Sequence, residues 1–116
     1  MPGPDLLLEQ PTAAVSDCGG VVAAPMPRPV AEARAALLKA VADPVRLQLL
    51  SVIASAPERE ACVCDMTRVV GVSQPTVSHH LKVLVEAGVL TRERRGTWAW
   101  FALVPGRLAE ITDVLG

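Results

Sequence analysis

From residue 30 onward, apolar side chains return every three or four positions. Val30, Ala33, Leu37, Leu38 and Val41 recur with Glu32, Arg34 and Lys39 between them, which predicts an amphipathic helix. Asp43-Pro44 is a helix-start signal, an N-cap residue followed by proline at the first helical position. The helix it opens runs to about Ser55 and would bury Val45, Leu47, Leu50 and Ile53. Pro57-Glu58-Arg59-Glu60 connects to a short helix over residues 62–70, closed by Gly71. Ser73 caps the next helix, with Pro75 in the first turn, where its missing N–H costs nothing. There Val77, Leu81, Leu84 and Val85 share one face; His79, Lys82 and Glu86 lie opposite, with Thr76 and Ser78 on the flanks. Two helices joined by a tight glycine turn, the second with a polar outer face, form a helix-turn-helix.

Past Ala87-Gly88 the period changes. Residues 89–92 and 97–103 read as strands, with Arg94-Arg95-Gly96 as the turn and Trp98 and Trp100 alternating with small residues. A basic-tipped hairpin behind a recognition helix is a wing. Pro105 opens a last helix with Leu108, Ile111, Val114 and Leu115 apolar. The expected fold class is mainly α (α+β): a winged helix-turn-helix of about five helices and a two-stranded hairpin. Residues 1–29 differ in kind. They hold six of the ten prolines and show neither helical nor strand period, so they read as a flexible arm ahead of a domain over residues 30–116.

The formal net charge of -1 hides a local asymmetry. Between residues 68 and 97, five cations (Arg68, Lys82, Arg92, Arg94, Arg95) face two acids (Glu86, Glu93), a local +3. A basic face on a near-neutral chain suits nucleic acid better than a membrane. Leu6-Leu7-Leu8 lacks a basic flank and sits between Asp5 and Glu9, so it is no signal peptide, and no apolar run reaches the ~18 residues of a membrane span. Ser73, Gln74, Thr76, Ser78, His79 and Lys82, at the start and on the outer face of the recognition helix, can meet phosphates and base edges. Arg92, Arg94 and Arg95 would grip the backbone or the minor groove; the plain alternative is a solvated hairpin tip. Adjacent His79 and His80 point about 100° apart on a helix, which disfavours a shared ion. One such unit binds weakly, whereas a two-fold dimer reads two half-sites of double-stranded operator DNA. Leu37, Leu38 and Val41 of the first helix, with Leu108, Ile111 and Leu115 of the last, are the expected homodimer surface.

The candidate chemistry lies in the three cysteines. An odd count, with two of them one residue apart at Cys62 and Cys64, is no disulfide framework and places the chain in a reducing cytoplasm. Thiolates bind soft ions. At i and i+2 of a regular helix they diverge by about 200°, so they can share an ion only where the helix begins. A third soft donor is required. Asp65 is hard, and Cys18 in the arm is the one thiol left. Some twelve residues of arm reach up to roughly 40 Å, enough to bring Cys18 to the pair in its own subunit or in a partner. Three thiolates make a trigonal site. That suits As(III) or Sb(III) and tolerates Pb(II), whereas Zn(II) and Cd(II) prefer four ligands. A disulfide between Cys18 and Cys62 or Cys64 is the thiol-redox alternative. A thiol-rich carrier would need no recognition helix, and a Cys64–His80 nucleophile pair would lack an orienting group, so an enzyme is not expected.

Three stretches taken together resemble the ArsR–SmtB family of winged-helix metalloregulators. They are Ala42-Asp43-Pro44-Val45-Arg46-Leu47-Gln48-Leu49-Leu50, then Cys62-Val63-Cys64-Asp65-Met66, then Val72-Ser73-Gln74-Pro75-Thr76-Val77-Ser78-His79-His80-Leu81-Lys82-Val83-Leu84. Ala87-Gly88-Val89-Leu90 and the arginine-rich hairpin extend the likeness, which covers roughly residues 30–115. The resemblance implies a homodimeric transcriptional repressor that leaves its operator on binding a metal or metalloid. Its Cys-Val-Cys-Asp box resembles that of arsenic-type and cadmium/lead-type members, in which an N-terminal arm of the partner subunit supplies a further cysteine. A second family site uses histidine and carboxylates on the last helix; here that helix has Glu110 and Asp113 but no histidine.

Overall fold

A computed structural model describes the backbone of residues 13–15 and residues 20–113 in full. Cys18, Val114 and Leu115 lie outside the described residues. The chain divides into two compact units, residues 1–35 and 36–116.

In the first unit, β1 (Ala13–Val15) pairs antiparallel with β2 (Val21–Ala23). These two strands lie in the stretch whose sequence shows no strand period. Each strand is three residues of alanine and valine, too short to display a period. Helix α1 (Arg28–Val41) begins in this unit, where Arg28 and Glu32 pair at 3.3 Å.

The second unit holds the end of α1, then α2 (Pro44–Ser55), a 3-10 turn (Pro57–Arg59), β3 (Glu60–Cys62), α3 (Val63–Val70), α4 (Gln74–Glu86), β4 (Leu90–Arg95), β5 (Trp98–Leu103) and α5 (Arg107–Thr112). The Asp43 carboxylate accepts from the backbone N–H groups of Val45 (2.9 Å) and Arg46 (3.1 Å), and Pro44 follows it as the sequence predicts. Ser73 Oγ accepts from the Thr76 N–H at 3.4 Å. Between these starts, α3 ends on Gly71 at φ 81°, a left-handed position that only glycine takes without strain. The three-residue link that results holds α3 and α4 as one helix-turn-helix.

The core forms where the helices cross. Leu49 and Ile53 of α2, Met66 of α3, and Val77, Leu81 and Leu84 of α4 are fully buried, with Val41, Val89, Leu90 and Phe101 around them. Burying each such side chain contributes about 1.5–3 kcal/mol. Leu47, expected inside, is 54% exposed. The buried stripe of α2 runs through Leu49, Leu50 and Ile53, with Val45 packed against the same core, and Leu47 lies off it.

The sheet has three strands in the order β3-β5-β4. The sequence shows only the hairpin; β3 joins as an antiparallel edge strand through Glu60↔Ala102, Ala61↔Phe101 and Cys62↔Trp100. The wing turn also differs from expectation. Arg94 and Arg95 belong to β4, Arg95 pairs with Trp98, and the loop is Gly96-Thr97 with Gly96 at φ 64°. A two-residue loop with glycine first is a II′-type arrangement, matched to strand twist.

Candidate functional site

The thiols lie where β3 becomes α3. Cys62 ends the strand and is the N-cap of the helix, with extended backbone (φ -82°, ψ 144°). The helical divergence of i and i+2 therefore does not apply, and Cys62 Sγ lies 2.7 Å from Cys64 Sγ. Cys62 is buried and Cys64 half-buried. An Asp65 carboxylate oxygen completes a cluster whose ligand atoms lie within 4.8 Å of one another. The hydrogen bond with Cys62 pushes the Cys64 thiol above its ordinary range, and burial adds to this. A thiophilic ion must therefore displace protons on binding. The donor set fits such an ion: two soft sulfurs already in contact and one harder oxygen. Bonds of about 2.3 Å at angles of about 95–109° put two ion-bound sulfurs about 3.4 to 3.8 Å apart, so neighbouring thiols at this helix start can share one ion.

A groove of about 310 Å³ runs between α4 and the wing, with Val63, the residue between the two cysteines, in its lining. It brings Gln74, Ser78 and Lys82 together with Arg92 and Arg94. Ser73, Thr76 and His79 are exposed on the same helix, outside the groove lining. Arg95 is placed differently. It reaches across the sheet to pair with Glu60 through two contacts of 2.7 and 3.1 Å, and also with Glu93. Its guanidinium stands 4.7 Å from the centre of the Trp100 ring, a cation–π distance. The Arg95 hydrogen bond holds the Glu60 carboxyl below its ordinary range, and Glu60 and Glu93 together hold Arg95 above its own. This network is absent from the sequence reading, because it depends on β3.

Two further braces fix the recognition helix. His80 turns inward, its side chain 16% exposed, and its Nδ1 accepts from Arg46 Nη1 at 3.0 Å. Arg46 also donates to the Ala40 carbonyl, and Asp43 lies 3.8 Å from His80. The backbone N–H of Arg46 is the main cause holding the Asp43 carboxyl below its ordinary range, with His80, Arg46 and Val45 assisting against burial. At the far end of α4, Arg107 donates to the Gly88 carbonyl at 3.0 Å and pairs with Glu110 at 2.9 Å. Of the expected dimer surface, Val41 is in the core and Leu37 and Ile111 pack against it, while Leu38 stays 36% exposed.

The family described as "Bacterial regulatory protein, arsR family" matches residues 43–92. An uncharacterised helix-turn-helix-type transcriptional regulator of Methanocaldococcus jannaschii is 38% identical over 72% of this chain and 92% of its own length. The arsenical resistance operon repressor of Bacillus subtilis is 38% identical, covering 62% of this chain and 70% of that one. A crystal structure of a possible transcriptional regulator for arsenical resistance superposes with a TM-score of 0.61 at 29% identity, over 67% of this chain and 78% of that one. Among the described residues, no helix is long and apolar enough to cross a membrane. The chain belongs to the ArsR family of bacterial regulatory proteins, as a winged helix-turn-helix, DNA-binding transcriptional regulator and not an enzyme.

Proposed function

We propose that this protein is a cytoplasmic repressor that binds operator DNA as a homodimer and leaves it when trivalent arsenic, or antimony, binds its cysteines. The observation that carries the reading is the 2.7 Å approach of Cys62 and Cys64 at the N-cap of α3, the first helix of the DNA-binding motif. The arsenical resistance repressor of B. subtilis, similar over most of its length, supports the same chemistry. Cys18 is the proposed third thiolate on donor count, since a trigonal sulfur site needs three and the chain has three. A cadmium or lead response is the second reading, favoured by the nearby Asp65 oxygen, which suits a harder ion than arsenic does.

On the DNA side, Lys82, Arg92 and Arg94 serve the phosphates along the groove, and Ser73, Gln74, Thr76, Ser78 and His79 serve phosphates and base edges. Arg95 was expected with them, but its charge is already matched by two carboxylates, so it holds the wing rather than gripping DNA. The exposed Leu38 of α1 and the half-buried Leu108 of α5 pair the two subunits.

Fluorescence anisotropy on promoter DNA tests this with wild type, Cys62→Ser, Cys64→Ser and Cys18→Ser. All four should bind DNA alike, and only wild type should release it with arsenite. Release by every variant would refute the site. Normal release by Cys18→Ser alone would remove the third ligand. Release on peroxide, with a Cys18-linked disulfide seen by mass spectrometry, would replace the ion reading with a redox one.

A further inference from the structure

The outer face of the sheet connects the thiol pair to the wing by direct contacts. Directly opposed residues in an antiparallel ladder share a face. Cys62, Trp100 and Glu93 therefore lie in one row across β3, β5 and β4. Glu60, two residues before Cys62, is on that same face, as is Arg95 at the tip of β4. Arg95 crosses over the Trp100 ring to reach Glu60, so the last residue of β4 is tied to the strand that carries Cys62. Leu90 and Phe101 occupy the other face and are buried in the core together with Ala61 of β3.

β3 itself is poised to move. It is three residues long and lies at the sheet edge. Just before it, Glu58 and Arg59 both sit at positive φ, 59° and 53°, a conformation that residues with side chains hold at a cost. Just after it comes the thiol pair, which a bound ion would fix in one geometry.

We propose that the Glu60–Arg95 ion pair, closed over Trp100, is the positioning link that carries ion binding at Cys62 and Cys64 to the wing. The inference rests on the proposed ion-responsive reading. An ion held by both sulfurs fixes the end of β3, where Cys62 lies. Glu60 moves with its strand and draws Arg95, and the hairpin that presents Arg92 and Arg94 is re-aimed relative to α4. A pair that only stiffened the wing would set DNA affinity equally with and without the ion; a link sets the ratio of the two.

The test uses the full-length protein as wild type, Glu60→Gln, Arg95→Gln and the double variant. Near-ultraviolet thiolate-to-ion absorption gives arsenite affinity, and anisotropy gives operator affinity without and with saturating arsenite. The expected wild-type ratio is about 5- to 150-fold. Each single variant should bind arsenite within about twofold of wild type and operator without the ion within about threefold. The affinity ratio should fall at least about fivefold, and the double variant should be no worse than either single, because the two residues act as one unit. An unchanged ratio in the variants, or losses that multiply in the double, would overturn the link and leave the ion-responsive reading standing. Loss of arsenite binding in Glu60→Gln would also overturn it, by making the pair part of the site. Wild type that binds arsenite without releasing DNA would overturn both.

Discussion

Arg94 and Arg95 are neighbours at the wing tip, yet only Arg95 is ion-paired, and the salt dependence of DNA binding separates the roles proposed for them. Among the described residues, Lys82, Arg92 and Arg94 have no carboxylate partner, whereas Arg95 has two. If each unpaired cation meets one phosphate in each subunit of a dimer, about six contacts give a log–log slope near -5.4, at about 0.9 per contact. Removing Arg94 removes two contacts and brings the slope to about -3.6. Raising salt from 50 to 200 mM should then weaken Arg94→Ala by about 10²-fold, against about 10³-fold for wild type. Arg95→Ala should keep the wild-type slope, because it surrenders a charge that Glu60 and Glu93 already balance. Anisotropy titrations without arsenite, at four salt concentrations across this range, provide the readout. A slope for Arg95→Ala as shallow as that for Arg94→Ala would refute the reasoning.

Other consequences concern the frame that aims α4. Leu81 is fully buried, so Leu81→Ala should cost about 2–5 kcal/mol, seen in urea melts as a lower midpoint with an unchanged slope. His80→Ala removes the acceptor of a guanidinium hydrogen bond and should cost about 1.5–3 kcal/mol, whereas the exposed His79→Ala should leave the melting temperature unchanged and weaken only DNA binding. The carboxyls of Asp43 and Glu60 are held below their ordinary values, so each contributes stability that is fully present above the unfolded value near pH 4 and lost as pH falls through the folded one. Thermal melts should be flat from pH 7 to 5 and fall below about pH 4, with a shallower fall in Asp43→Asn, which keeps the cap but not the titration.

The helices were legible because their signals are local. Asp43-Pro44 and Ser73 with Pro75 mark two starts, and Val77, Leu81 and Leu84 mark one buried face. The thiol pair was legible too, through the argument that i and i+2 cysteines meet only at a helix start; the structure puts Cys62 at the N-cap. What escaped depends on partners distant in sequence. Glu60-Ala61-Cys62 has no period of its own and becomes a strand only against β5, since strand formation follows cross-strand packing more than local preference. Without β3, the Glu60–Arg95 ion pair could not be seen, and Arg94-Arg95-Gly96 was read as the turn. Glycine as the first residue of a two-residue loop was the missed cue. His80 lies between Val77 and Leu84 on the inward face, and its arginine partner is 34 residues away.

The central claim is that one ion at the thiol pair controls DNA binding, and a single co-titration tests it most directly. Arsenite is added to operator-bound protein while thiolate-to-ion absorption and anisotropy are read in the same cuvette. The account predicts that the two signals change together and saturate at one arsenic per subunit, and that Cys62→Ser and Cys64→Ser show neither change. Release that runs ahead of the absorption change, or absorption that saturates with the DNA still bound, would contradict it.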